Sequence, residues 1–136
     1  GAVRMYSRIG RVASMHASGV AKAIVAFLEQ PLLDAILTGI EFERYTKSTV
    51  TPLPAFRREL TKIATRGWAT DDGEFEEFIN CVAAPVRSSD GKVRNSVSIA
   101  APKMVASLSD LEPLVPQLLE TTQAISRDLG WHGGGK

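Results

Sequence analysis

The stretch CVAAPVRSSDGKVRNSVSIA, Cys81 to Ala100, decides the fold. It holds two β-type runs, Cys81 to Arg87 and Val93 to Ala100, separated by Ser88-Ser89-Asp90-Gly91. Asp-Gly between apolar runs predicts a hairpin, because glycine accepts the positive φ that such a turn requires. The second run sets Val93, Asn95, Val97 and Ile99 against Arg94, Ser96, Ser98 and Ala100, so it presents two distinct faces. The first run is short and almost continuously apolar, which predicts a buried strand.

Upstream, RGWATDDGEFEEFINCVAA (Arg66 to Ala84) joins a helix end to that strand through an acid-rich hinge. The helix it closes carries Phe56, Leu60, Ile63 and Ala64 at helical spacing, with Gly67 where a C-terminal glycine cap belongs. Further back, Ser18 is placed to cap a helix with a Val20, Ile24, Phe27, Leu28 stripe. Pro31 suits the first turn of a second helix through Leu32, Leu33, Ile36 and Leu37, which Gly39 stops. Glu41 to Pro54, rich in threonine and proline, reads as a loop, and Arg4 to Val12 as an extended segment. Downstream, Leu111, Leu114, Val115, Leu118, Leu119, Ile125 and Leu129 form a long apolar stripe ending at Gly130. Pro113 and Pro116 predict a loose or bent first turn there. Three helices, three strands and a helix in that order predict an α+β domain with an antiparallel sheet.

The chain has 136 residues, enough for one domain with one core. A net charge of +1 gives no phosphate-gripping surface, so this chain alone is not expected to bind DNA. A single cysteine fits a reducing cytosol, and no apolar run approaches the roughly 20 residues of a membrane span. The expected location is cytoplasmic. Gly1 and the tail from Gly133 to Lys136 read as loose ends, and the lack of an initiating Met implies a piece of something longer.

Three segments could carry chemistry. His16-Ala-Ser-Gly-Val-Ala-Lys-Ala23 opens a helix with small side chains. Either the N–H groups of Gly19 and Val20 are open to an anion, or the small residues serve close packing on the sheet. Asp71, Asp72, Glu74, Glu76 and Glu77 lack the spacing of a calcium loop and have no histidine cluster, so no metal is expected. Four of the five are expected to meet water, with Asp71, closest to Trp68 and the strand, the exception. Cys81 with His16 and Asp71 could formally complete a nucleophilic set, but on an apolar strand it reads as a small hydrophobe. His132 is expected in solvent, and Trp68 and Trp131 in a core or interface.

Taken together, MHASGVAKA (Met15 to Ala23), RGWATDDGEFEEFINCVAAPV (Arg66 to Val86) and SVSIAAP (Ser96 to Pro102) resemble the effector-binding domain of the IclR family of bacterial transcriptional regulators. The likeness runs from RMYSRIG (Arg4 to Gly10) to AISRDLG (Ala124 to Gly130). It implies a GAF- or profilin-like antiparallel sheet flanked by helices, spanning residues 1–136 and incomplete on its N-terminal side. The family's winged helix-turn-helix domain is absent from this chain, so DNA is a partner only through that missing part.

The resemblance also implies a ligand-sensing function, a small carboxylate effector such as a sugar acid or keto acid, no cofactor, no enzymatic activity, and a homodimer or homotetramer, with repressor or activator left open. Its effector site falls on Gly19 and Val20 for the carboxylate, on Asp71 and Cys81, and on the strand pair Ser98 and Ala100. Ala100 replaces a second serine and so removes a hydroxyl. Ala2 and Ala13 match lining positions, and their small size implies a roomier cavity. The RMYSRIGR start resembles the subgroup that regulates sugar-acid and pectin-breakdown genes. Two other classes stay open at this point, a cysteine-dependent hydrolase or lyase and a structural oligomerisation module.

Overall fold

A computed structural model describes residues 14–133. Ala2, Ala13 and the segment expected to be extended lie outside the described residues. The hairpin forms as its turn chemistry dictates. Strands β2 (Ile79–Arg87) and β3 (Val93–Pro102) pair antiparallel, and Gly91 takes φ 83° in the connection. β1 (Ala69–Asp72) pairs antiparallel with β2 on its other side, giving the order β1-β2-β3. Part of the acidic hinge is therefore strand. An irregularity at Val86/Arg87 lets Arg94 fall out of register.

Helices lie on both faces. α1 (Gly19–Val25), α2 (Gln30–Gly39) and α3 (Leu53–Arg66) gather on one face, where Ala23, Val25, Leu37, Phe56, Leu60 and Ile63 pack with Ala69, Cys81 and Ala83. On the other face, α4 (Leu108–Leu111) and α5 (Val115–Asp128) bring Leu111, Val115 and Leu118 onto Val82 and Ala84. A 3-10 turn at Glu112–Leu114 separates α4 from α5, the loose start that Pro113 and Pro116 impose. Two features end the helices as read. The Ser18 hydroxyl accepts from Ala21 N–H at 3.2 Å, and Gly67, at φ 95°, donates its N–H to Ile63.

Two expectations need correction. α1 does not bury the Val20, Ile24 stripe. It buries Gly19, Ala21, Lys22, Ala23 and Val25, while Val20 and Ile24 are only half-buried and Phe27 and Leu28 fall beyond its end. The reason is close approach. A Cβ added at Gly19 would stand 2.8 Å from Cys81 Sγ, so the first turn of the helix faces the sheet with glycine rather than with a large apolar residue. Glu74 does not meet water either. It is buried, and its carboxylate meets the fully buried Lys22 ammonium at 2.6 Å.

Candidate functional site

Antiparallel register places the candidate residues. Asp71 stands opposite Cys81 and Cys81 opposite Ala100, while Ala69, Ala83 and Ser98 form the next row. Residues directly opposite, and residues two apart along a strand, share a face. Asp71, Cys81, Ser98 and Ala100 are therefore one surface drawn from three strands. The start of α1 lies over it, since the same added Cβ on Gly19 would also reach Asp71 and Ala83 Cβ at 3.6 Å.

How far this floor is covered follows from helix length. Seven residues of α1 extend only about 10 Å. The helix reaches β3 at Ser96, whose hydroxyl donates to the Val20 carbonyl at 2.8 Å. Asp71 and Cys81 beneath it are buried, whereas Ser98 and Ala100 on β3 are exposed. At the helix start Ser18 caps Ala21, and the N–H groups of Gly19 and Val20 find no acceptor among the described residues. Of the sequence-predicted residues, Gly19, Val20, Asp71, Cys81, Ser98 and Ala100 thus come together. The small-residue packing and the open amides occur at the same place.

The carboxyl of Asp71 is held by the turn that follows it. Its Oδ1 accepts from Glu74 N–H at 2.8 Å, and the Glu74 carboxylate in turn accepts from Asp72 N–H at 3.0 Å. Burial pushes Asp71 up to about 7, with Glu74 and Glu76 adding to the rise and the Lys22 ammonium and the Glu74 N–H opposing it. Near neutral pH this carboxyl can therefore donate a hydrogen bond as well as accept one.

Underneath lies a charge cluster that sequence reasoning missed. Lys22 Nζ meets Glu74 Oε1 at 2.6 Å and Glu59 Oε2 at 3.0 Å. Burial works against the ammonium, but the two carboxylates outweigh it and leave Lys22 above its ordinary pKa. Thr49, also buried, donates to the Glu74 carbonyl, and Thr46 donates to that of Gly73, so the 40–52 loop braces the same turn. The available signal was a lone lysine inside a helix of small and apolar residues, a charge that needs buried partners.

Cys81 is not set up as a nucleophile. Burial and then the Asp71 charge push its thiol up to about 12, which leaves it protonated. His16 donates to or accepts from the Glu43 carbonyl at 2.8 Å, with its ring against Phe42, Tyr45 and Phe56. It is spent on packing. Asp71 and Glu74 are engaged with backbone N–H groups and Lys22, and no group of three or more metal-ligating side chains occurs among the described residues.

An antiparallel sheet clasped by helices, with polar side chains gathered under a short helix on one face, defines a ligand-sensing α+β domain. The chain belongs to the family described as bacterial transcriptional regulator IclR C-terminal, which matches residues 1–127. It is the effector-binding domain of that family. The HTH-type transcriptional regulator KdgR of Escherichia coli K12 is 32% identical over 130 residues, covering 96% of this chain and 49% of that protein. XynR of the same organism, also an HTH-type transcriptional regulator, is 31% identical over 93% of this chain and 50% of its own length. The crystal structure of Thermotoga maritima IclR superposes with a TM-score of 0.89 at 31% identity, covering 96% of this chain and 53% of that one. The chain spans about half the length of the curated relatives it matches.

Proposed function

We propose that this domain binds a small carboxylate metabolite, a sugar acid or keto acid, on the sheet face at the start of α1. Its occupancy would pass to a DNA-binding domain elsewhere in a cytoplasmic transcriptional regulator. The observation that carries this is the shared face of Asp71, Cys81, Ser98 and Ala100 with the open amides of Gly19 above it. From Asp71 to Ala100 the floor crosses two strand spacings, about 10 Å, which suits a molecule of a few carbons. The carboxylate would sit on the Gly19 and Val20 amides, the hydroxyl or keto oxygens against Asp71 and Ser98, and Cys81 on the wall. A protonated Asp71 suits an anionic ligand, because it donates without adding a second negative charge. Relatives of about twice the length, named as HTH-type regulators, favour a preceding DNA-binding domain. Homodimers or homotetramers would relay the signal, since an effector shifts an equilibrium only by its difference in affinity for the two states.

Calorimetry with galacturonate, gluconate and pyruvate on the wild type, Asp71→Ala and Ser98→Ala tests this. Each substitution should weaken the binding of the preferred acid about tenfold, because a polar group left unpaired costs about 1–3 kcal/mol. Unchanged affinity in both variants would overturn the site. If none of a wider panel of organic acids raises the melting temperature, the domain is an oligomerisation module instead, since any ligand of the folded state must stabilise it.

A further inference from the structure

A second cavity lies away from the α1 site, beside the end of β2. β1 begins at Ala69, opposite Ala83, so the last four residues of β2 have no strand on that side. A proline at position 85 is tolerated in such a strand, and the Arg87 N–H is satisfied by the Ser126 hydroxyl of α5 at 2.9 Å. The gap between this bare edge, the end of α3 and the last turns of α5 has a volume of about 390 Å³. That lies within the range of small-ligand sites, roughly 300–1,000 Å³.

Its lining is chemically one-sided. Arg66, Arg87, Arg127 and His132 border it, and no carboxylate side chain does. None of the ion pairs found among the described residues uses these arginines. Arg66 spends its Nε on the Trp68 carbonyl, with its Nη2 near Thr70 Oγ1 at 3.5 Å, and Arg87 spends its Nη1 on the Gly91 carbonyl. The Arg127 guanidinium makes no hydrogen bond or ion pair among the described residues. Three guanidiniums around one cavity with no carboxylate among its lining favour an anion of more than one charge, and their planar forks match phosphate. The rest of the wall sets the apolar Phe27, Pro85, Leu119 and Trp131 beside the polar Thr122, Gln123 and Ser126. The Arg87 guanidinium lies over the rings of Phe27 at 5.5 Å and Trp131 at 5.4 Å, so aromatic faces adjoin the charged groups. Charge for a phosphate beside faces for a ring describes a nucleotide.

We infer that this cavity binds a nucleoside monophosphate, its phosphate held by Arg66, Arg87 and Arg127 and its base against Trp131. The site is separate from the effector site in position and in ligand chemistry, and it does not depend on that assignment. Titration of the full chain with AMP, followed by calorimetry, tests it. Saturable binding is expected, with adenosine and inorganic phosphate each at least tenfold weaker. Arg127→Gln and Arg66→Gln, both at exposed positions, should each weaken AMP about tenfold with the melting temperature kept, while Asp71→Ala should leave AMP binding unchanged. Absence of saturable AMP binding overturns the inference. So does equal affinity for adenosine or phosphate, indifference to Arg127→Gln and Arg66→Gln, or loss of AMP binding in Asp71→Ala.

Discussion

Replacing Asp71 by asparagine should make this domain more stable at neutral pH, and the amount follows from its burial. The folded carboxyl titrates at about 7 against an ordinary 3.8. Because the folded pKa is the higher, the stability this group contributes is fully present below the unfolded value and is lost as pH rises through the folded one. At 1.36 kcal/mol per pH unit, the loss between pH 4 and pH 8 is about 3–4 kcal/mol, a large part of the roughly 5–15 kcal/mol that holds a domain together. Asparagine keeps an oxygen for the Glu74 N–H and removes the charge. Urea unfolding of the wild type and Asp71→Asn across this range gives the difference directly. Glu74, Glu76 and Lys22, the charged groups facing Asp71, are present in both proteins, so most of their own titration cancels.

The variant should gain about 3–4 kcal/mol on the wild type between pH 4 and pH 8, and carboxyl NMR should show Asp71 titrating near 7. Parallel unfolding free energies in the two proteins would refute the dehydrated site. The gain in stability should come with weaker effector binding, because a residue kept against its own solvation is one that the fold alone does not favour.

Three other substitutions probe the scaffold. Lys22→Met should lose about 3–5 kcal/mol in denaturant unfolding, since Glu59 and Glu74 are left without their buried counter-charge. Gly19→Ala should lose about 1–3 kcal/mol by pressing on Cys81 Sγ, and Cys81→Ala in the same chain should recover at least half of it, a coupling read from a double-mutant cycle. Gly67→Ala should cost about 1–2 kcal/mol, wholly from the left-handed backbone, because nothing lies within 4 Å of the added methyl; the urea midpoint reports it.

What the sequence could show was local. The Asp90-Gly91 turn, the Ser18 cap and the Gly67 cap each depend on residues a few positions apart, and each forms as its chemistry requires. The turn alone would set Cys81 opposite Ile99, and the irregularity at Val86/Arg87 shifts it by one to Ala100, so that pairing was not legible from the turn. The buried face of α1 was misjudged because large apolar residues ordinarily mark the inside. Here the first turn of the helix comes so close to the sheet that bulk is excluded at Gly19. Size, not hydrophobicity, selects what faces Cys81. The arginine-lined cavity had no local sign, since it arises from a four-residue strand beside a nine-residue one.

The least legible distinction lay within the acidic run itself. Asp71 and Glu74 are three residues apart in one polar segment, and composition treats them alike. Their difference is set by Lys22 and Glu59, which lie 52 and 15 positions from Glu74 in sequence. The Lys22 ammonium, which Glu59 also holds, draws the Glu74 side chain inward, and the turn carrying it presents the Glu74 N–H to Asp71 Oδ1. The residue expected in solvent is thus the one that fixes the residue expected at the site. Its ion pair holds the turn, the turn holds the Asp71 carboxyl, and burial by α1 keeps that carboxyl half-protonated near neutral pH. A change at Lys22 or Glu59 should therefore reach the effector site through Glu74 without either side chain touching a ligand. Thr46 and Thr49, which bind the carbonyls of the same turn, make the 40–52 loop part of that support.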